Sequence, residues 1–197
     1  MRQILMGVGI CLFGYIAGSF PFALWITRLL KGVDVRDSGS GHATTTNTIR
    51  QVGWGAGVLV LILDITKGFI PTLIAIKASD LTWVVPVTAS LVVVGHCWPL
   101  FAQFRGGMGL ATAGGSLLAI DWIAGLIGLA ILISLTLLIK HSARAAFFTG
   151  LLLAPVYFLM GIWGNMLWAS ALVGAVLAIR FTSDWRREYR ELWLDRE

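Results

Sequence analysis

The fold class is indicated by residues 54–77, which read WGAGVLVLILDITKGFIPTLIAIK. This segment is apolar on every face, and only Asp64, Lys67 and the terminal Lys77 carry charge. Its length matches the roughly 20 residues that an α-helix needs to cross a bilayer. A barrel strand would alternate apolar with polar residues, and this segment does not alternate. The segment is therefore predicted to be a transmembrane helix, because a helix satisfies its own backbone hydrogen bonds in lipid.

Six further apolar runs predict more helices of the same kind, at residues 4–27, 82–98, 108–120, 122–139, 145–163 and 165–181. Run 108–120 is short for a complete crossing. It predicts a helix that begins in the Gly-rich segment before it, or a half-helix buried among its neighbours. Pro21 predicts a kink near the end of the first run. The predicted architecture is all-α, a polytopic membrane bundle of about seven transmembrane helices forming one domain over residues 1–197.

Composition supports this class. Of the 197 residues, 57% are hydrophobic and only 13% are charged, whereas soluble proteins carry roughly 25% charged residues. The net charge of +5 lies in short loops between apolar runs, so membrane topology explains it better than binding to nucleic acid. Cys11 and Cys97 both stand in apolar surroundings, and they predict neither a disulfide framework nor a metal site.

The distribution of Lys and Arg predicts the orientation. If the seven runs cross in turn, one set of connections carries 12 of the 15 basic residues and the other set carries only Arg2 and Lys77, with Lys67 inside a span. Basic loops face the cytoplasm. Loops 28–53, 99–110 and 140–145 and the tail 182–197 are therefore predicted to be cytoplasmic. The mixture of charged and aromatic residues from Ser183 to Glu197 predicts a short amphipathic helix on the membrane surface.

Three polar segments are candidates for chemistry. The first runs from Asp37 to Arg50 and reads DSGSGHATTTNTIR. Its glycines allow positive φ and close approach of the backbone to a ligand. Clustered N–H groups, hydroxyl groups and a guanidinium are suited to binding phosphate. A polar connecting loop, with Arg50 present for topology, is the alternative interpretation.

The second segment runs from Gly95 to Thr112 and reads GHCWPLFAQFRGGMGLAT. The glycines of 106–109 precede an apolar helix, and the N–H groups at a helix start bind anions. A tight turn that re-enters the membrane would need glycine equally. His96 is a candidate base or ligand, or a structural residue at a helix end.

The third segment is the pair Asp64 and Lys67 inside the second run. Their i, i+3 spacing places both on one helix face, where they can pair. Charged residues inside a span are costly and serve either a site or a buried ion pair. The spacing alone leaves both interpretations open.

Taken together, these segments resemble the PlsY family, bacterial membrane glycerol-3-phosphate acyltransferases that use acyl phosphate as donor. Gly18–Phe22 matches the family's Gly-Ser-(Ile/Phe)-Pro-Phe, Leu63–Gly68 matches Leu-Asp-Ile-x-Lys-Gly, and Gly39–Arg50 and Gly95–Thr112 match its two glycine-rich blocks. The chain departs from the family pattern at five positions. His42, Thr44, Met108, Phe181 and Asp184 stand where the family has Asn, Gly, Lys, His and Asn.

The resemblance implies that a glycerol hydroxyl attacks the carbonyl carbon of acyl phosphate to give lysophosphatidic acid and phosphate. No metal or cofactor is implied. Catalytic roles are implied for Ser40, Arg50 and His96. Substrate contacts are implied for Gly39, Gly41, Thr46, Asn47, Lys67, Arg105, Gly106, Gly107, Gly109, Thr112 and Ser142.

The same resemblance implies acyl phosphate, glycerol 3-phosphate and membrane lipid as partners, no nucleic acid, and a monomer or weak oligomer. It implies the bacterial cytoplasmic (inner) membrane as the location, with the active face cytoplasmic. The departures leave two alternatives open. One is an acyltransferase with a different acceptor or donor, and the other is a non-catalytic lipid-binding protein on the same fold.

Overall fold

The computed structural model describes residues 1–187, and α-helices make up most of this part of the chain. They are α1 (Arg2–Gly18), α2 (Phe22–Lys31), α3 (Thr45–Val52), α4 (Trp54–Ala78), α5 (Val84–Cys97), α6 (Leu110–Ile120), α7 (Trp122–Ile139), α8 (Ser142–Leu159) and α9 (Asn165–Phe181). No strand occurs among the described residues, which confirms the all-α class. Within the same residues, six helical segments are long and apolar enough to cross a membrane.

The first predicted span differs most from the structure. It is two helices, because α1 ends at Gly18 and α2 begins at Phe22. Pro21 has no N–H to continue the helical ladder, so the predicted kink is a complete break. The hydroxyl group of Ser19 donates to the Tyr15 carbonyl at 2.8 Å and caps the end of α1.

The short fourth span is the 11-residue helix α6. At 1.5 Å per residue it is about 16 Å long, roughly half the thickness of the hydrocarbon core. The other boundaries differ by only a few residues. The largest shifts are in α8, which begins at Ser142 rather than at 145 and ends at Leu159 rather than at 163. Predicted loop 28–53 also contains α3 and the end of α2.

Four connections meet at one end of the bundle, which is called the loop-rich end from here on. They are residues 32–53, 98–109, 140–141 and 182–187. The Arg36 side chain donates to the Ala102 carbonyl at 2.9 Å, and the Arg144 side chain donates to the Trp185 carbonyl at 3.3 Å. Residues 182–184 form a 3-10 helix. The rest of the predicted amphipathic tail, 188–197, lies outside the described residues.

Glycines bring helices into backbone contact in three pairs, which are α1 with α5 and the two pairs described next. A Cβ at Gly115 of α6 would clash with the Ile65 carbonyl of α4, and one at Gly174 of α9 would clash with the Gly150 carbonyl of α8. Close packing of this kind stabilises helix pairs in lipid, where no hydrophobic effect drives helices together. These two pairs place α4 and α9 beside the polar segments of the loop-rich end.

The apolar core lies between α5, α6, α8 and α9. The Tyr157 hydroxyl is buried there and donates to the Ala124 carbonyl at 2.7 Å, which ties α8 to α7. The outer faces carry exposed apolar side chains, as at Leu129 and Ile133 of α7. A helix with such a face needs lipid around it.

The backbone contact between α4 and α6 predicts different effects for two neighbouring glycines. Gly115→Ala forces the helices apart and is expected to cost about 1–3 kcal/mol. Gly114→Ala is the matched control, because nothing lies within 4 Å of a Cβ there. It is expected to stabilise helix α6 by about 0.5–1 kcal/mol. Thermal unfolding in detergent, followed by tryptophan fluorescence, measures both; equal melting temperatures would contradict this packing.

Candidate functional site

Residues 38–44, called the Gly-Ser loop from here on, are built around the side chain of Asn47, which is completely buried. Its amide nitrogen lies within hydrogen-bonding distance of three backbone oxygens, and its oxygen accepts from the N–H of Ser40 at 3.3 Å. Gly39, with φ +61°, passes so close that a Cβ would clash with the Asn47 oxygen. Because its polar atoms are used inside the loop, Asn47 shapes the loop, although the resemblance implied a substrate contact.

Arg36 joins this loop to the second glycine-rich segment. Its guanidinium pairs with Asp34 at 2.6 Å and donates to the carbonyls of Ala102 (2.9 Å) and Arg105 (3.2 Å). The hydrogen bond from Arg36 lowers the pKa of the Asp34 carboxyl well below its usual range, so the carboxylate stays ionised in the folded protein. Sequence reasoning assigned Arg36 only a topological role.

A buried cluster of charged and polar side chains lies beneath the loops. Asp64, Lys67 and His96 are 2%, 8% and 7% exposed. One carboxylate oxygen of Asp64 lies 2.8 Å from Lys67 Nζ and 3.6 Å from His96 Nδ1. Lys67 also donates to the Phe20 carbonyl at 2.9 Å, and its ammonium group lies 5.4 Å from the centre of the Phe22 ring. The predicted pair is therefore present, with His96 as a third member.

Residues 106–109, called the glycine turn from here on, cover this cluster. The N–H groups of Gly106 and Gly107 donate to the carbonyls of Cys97 (3.2 Å) and His96 (3.1 Å). The sequence predicted that N–H groups of this turn would be available to an anion, and for these two residues that prediction is wrong. The turn needs glycine for another reason, since a Cβ at Gly107 would clash with His96 Nε2.

Arg180, at the end of α9, holds the turn from its other side. Its Nε donates to the Gly107 carbonyl at 2.9 Å, and its Nη2 lies 3.3 Å from both the Gly106 carbonyl and His42 Nδ1. The N–H of Ala43 donates to the same Gly106 carbonyl at 3.4 Å. The Gly-Ser loop and the glycine turn are therefore adjacent.

Two departures from the family pattern contact each other. His42 Nε2 lies 2.9 Å from a carboxylate oxygen of Asp184. Because His42 Nδ1 faces a donor, Arg180, its Nε2 carries the proton and donates to Asp184. Arg187 donates to the Ser40 carbonyl at 3.1 Å and contacts Asp184 at 3.4 Å. The end of α9 is thus fastened to the Gly-Ser loop.

Two further departures lie in the apolar core. Met108 and Phe181 are 9% and 5% exposed and belong to one buried apolar cluster. An apolar pair has therefore replaced the lysine and histidine of the family pattern.

One pocket brings part of the predicted site together. Among the residues that were predicted, it is lined by Lys67, His96, Gly106 and Gly107. The sequence analysis missed the remaining lining residues as site residues, and they are Phe20, Pro21, Phe22, Ala23, Ala43, Asp64 and Pro99. The i, i+3 spacing identified Asp64 as the partner of Lys67 but not as a lining residue, and Phe20–Phe22 could have been found from their place in a matched motif.

The remaining predicted residues lie around this pocket without lining it. Ser40 and Gly41 are in the Gly-Ser loop, Thr46 is exposed on α3, and Arg50 is half-buried in the last turn of α3. Thr112 is buried and Gly68 of α4 packs against its backbone, while Gly109 packs against apolar side chains. Arg105 is exposed, and Ser142 is the half-buried first residue of α8.

Comparison with known proteins identifies the family. The family model described as glycerol-3-phosphate acyltransferase matches residues 8–191. Glycerol-3-phosphate acyltransferase 2 of Thermotoga maritima is 39% identical over 130 residues, which are 66% of either chain. Glycerol-3-phosphate acyltransferase of Aquifex aeolicus is 36% identical over 170 residues, covering 86% of this chain and 88% of the relative.

The fold agrees with a solved membrane protein. The crystal structure of PlsY (YgiH), an integral membrane glycerol 3-phosphate acyltransferase in its glycerol 3-phosphate form, superposes with a TM-score of 0.82 and 34% identity. The match covers 92% of this chain and 91% of that one. The resemblance drawn from the four motifs is confirmed, and this integral membrane chain with several spans belongs to the glycerol-3-phosphate acyltransferase family.

Proposed function

We propose that this protein transfers an acyl group from acyl phosphate to the 1-hydroxyl of glycerol 3-phosphate, as a step of phospholipid synthesis. The products are lysophosphatidic acid and inorganic phosphate. The reaction takes place at the loop-rich end, which faces the cytoplasm, in the inner membrane of a bacterium.

The pocket under the glycine turn carries this proposal. Its walls are apolar at Phe20 and Phe22 and polar at Lys67 and His96, which matches the two chemical ends of an acyl phosphate. The cavity of about 10 Å³ holds only about one water molecule, so it must open to admit a reactant. An acyl phosphate is a mixed anhydride and is already activated. The protein therefore needs mainly to position two anions and to stabilise the charge that develops in the transition state.

The orientation rests on the basic side chains of the loop-rich end. Arg28, Arg36, Arg105, Arg144 and Arg180 all lie there or at the helix ends that lead to it. Basic residues of short loops are retained on the cytoplasmic side. The phosphate groups of the substrates are anions that reach the protein from the aqueous side. Basic side chains around the entrance of the pocket therefore also favour their binding.

The proposed reaction predicts turnover by the purified protein. Palmitoyl phosphate and glycerol 3-phosphate should give lysophosphatidic acid and phosphate in equal amounts. The Ser40→Ala, Arg50→Ala variant should be slower by about 100-fold or more, because it loses the hydroxyl group of the Gly-Ser loop and the guanidinium at the end of α3. Turnover no faster than this variant would contradict the proposal, provided that both proteins elute alike on gel filtration.

Arg180 is predicted to act by holding the glycine turn. A lysine keeps the charge but cannot donate to two carbonyls in a fixed plane. Arg180→Lys should therefore raise KM by about 10-fold, the equivalent of one charge-assisted hydrogen bond. Arg186→Lys is the matched control, because Arg186 is exposed a few residues beyond, and its KM should stay unchanged. Equal KM values for the two variants would contradict this role.

Met108 and Phe181 favour a second candidate function, an acyltransferase with a less anionic acceptor. Both side chains lie in the apolar core, where the family pattern has a lysine and a histidine. With fewer cations, the site binds a phosphate less strongly. A panel of glycerol 3-phosphate, glycerol and monoacylglycerol, each with palmitoyl phosphate, distinguishes the two functions. We expect turnover with glycerol 3-phosphate only; turnover only with an uncharged acceptor would favour the second function.

A further inference from the structure

We propose that Trp185 is a positioning residue, which fixes Ser40 beside the pocket by docking residues 182–187 on α8. Residues 182–187 are called the strap from here on. This inference rests on the proposed function and deepens it, because it names what holds the Gly-Ser loop ready for the phosphate group of a substrate. Trp185 lies outside the motifs that carry the family resemblance.

The first observation is that α8 holds both the side chain and the backbone of Trp185. Its ring centre lies 5.1 Å from that of Phe147 and 6.0 Å from that of Phe148, and both pairs meet edge to face. The Arg144 guanidinium lies 5.4 Å from the centre of the same ring, and Arg144 Nε donates to the Trp185 carbonyl at 3.3 Å. Edge-to-face aromatic pairs and a cation over an indole ring are both attractive. Trp185 is therefore docked on the first turns of α8.

The second observation is that the neighbours of Trp185 in the strap contact the Gly-Ser loop instead. Asp184 accepts from His42 Nε2 at 2.9 Å, and Arg187 Nη1 donates to the Ser40 carbonyl at 3.1 Å. Arg187 also contacts Asp184 at 3.4 Å. The strap therefore joins α8 to the Gly-Ser loop, with one side chain directed to the helix and two directed to the loop.

The third observation is that Ser40 depends on such contacts for its position. It lies between Gly39 and Gly41, whose φ angles are +61° and +70°, and the backbone at a glycine has many accessible conformations. The N–H of Ser40 donates to Asn47 Oδ1 at 3.3 Å, within the same part of the chain. Its carbonyl accepts from Arg187, which is 147 residues away. Arg187 therefore ties Ser40 to a different part of the bundle.

The exposure of the side chain separates this role from the usual one of tryptophan in a membrane protein, which is to anchor the chain at the interface. Trp54 and Trp168 are 71% and 63% exposed, as expected of side chains that lie among lipid headgroups. Trp185 is half-buried against protein side chains. Its ring therefore contributes to the docking of the strap.

These contacts make Trp185 a residue that acts on binding rather than on the chemical step. Without its ring the strap can leave α8, and Arg187 loses the fixed position from which it holds the Ser40 carbonyl. The Gly-Ser loop then adopts other conformations. A substrate binds only to the fraction of molecules in which Ser40 is in place, so the apparent dissociation constant rises as that fraction falls.

Steady-state kinetics with palmitoyl phosphate and glycerol 3-phosphate test this role. Trp185→Ala should raise KM for at least one of these substrates by about 10-fold and leave kcat within about threefold, because the substitution lowers the fraction able to bind and leaves the bound state unchanged. A higher KM for glycerol 3-phosphate assigns Ser40 to the phosphate of the acceptor, and a higher KM for palmitoyl phosphate assigns it to that of the donor. Unchanged KM values for both substrates overturn the proposal.

Two variants serve as matched controls. Trp185→Phe keeps a ring against Phe147 and Phe148 and should keep both KM values within about threefold of wild type. Trp54→Ala removes an exposed tryptophan from the same end of the bundle, and its KM values should stay unchanged. A Trp185→Phe variant as impaired as Trp185→Ala, or an equal rise of KM in Trp54→Ala, overturns the proposal.

Arg187→Gln tests whether Trp185 acts through the other end of the strap. It should raise the same KM by about 10-fold, because it removes a charged donor from the Ser40 carbonyl. In the double variant with Trp185→Ala the two effects should not multiply, because both substitutions release the same contact. Independent effects, or an unchanged KM in Arg187→Gln, overturn the proposal. Melting temperatures show whether Trp185→Ala folds, and if it does not, Arg187→Gln decides alone.

Calorimetry with inorganic phosphate separates this inference from the proposed function. Inorganic phosphate carries the group that both substrates share, and its binding requires no turnover. Its Kd should rise by about 10-fold in Trp185→Ala and in Arg187→Gln. An unchanged Kd, or no binding by the wild type, overturns this inference. Absence of turnover with any acyl phosphate overturns the proposed function itself, whether or not inorganic phosphate binds.

Discussion

The buried ion pair between Asp64 and Lys67 is the interaction on which the arrangement of the site depends. A charge inside a membrane span is costly unless it is paired, so α4 must present both side chains to partners rather than to lipid. The partners come from two other places in the chain, the Phe20 carbonyl at the break between α1 and α2 and the ring of His96 on α5. One ion pair thus fixes how α4, α5 and the α1–α2 junction meet around the pocket.

Above this pair, arginines hold the loops through backbone carbonyls. Arg36 binds the segment 102–105, and Arg180 binds the glycine turn. The backbone carbonyls of a loop have no hydrogen-bond donor from within a helix. A guanidinium can supply one, because it donates to several carbonyls at once. These arginines therefore have two uses. They retain the loops on one side of the membrane, as their number suggests, and they also shape the loops into a pocket.

The helices could be predicted from the sequence because lipid imposes a simple rule on long apolar runs. The bounds of α7 and α9 match their predicted runs to the residue. The site could be predicted only in part. Residue types and glycine spacing identified His96, Lys67 and the glycine turn, but not which atoms of the turn are used. The N–H groups of Gly106 and Gly107 are used inside the turn because the chain reverses there, and no spacing rule reveals that.

Contacts between residues far apart in the sequence could not be predicted from the sequence alone either. His42 and Asp184 each look like an isolated departure from the family pattern, and a carboxylate near a phosphate site looks unfavourable. In the structure they pair with each other at 2.9 Å, so the carboxylate is compensated by His42 and Arg187 rather than directed at a substrate.

Met108 and Phe181 are likewise a compensating pair of substitutions. The family pattern has polar residues at both positions, and in this chain both side chains belong to one apolar cluster. Random loss of function would leave polar groups buried without partners, which destabilises a protein. Here each pair of departures is internally satisfied, one by charge and the other by apolar packing. The Asp64, Lys67 and His96 cluster is also present. These compensating substitutions therefore indicate that the residues around the pocket changed while the pocket itself was retained.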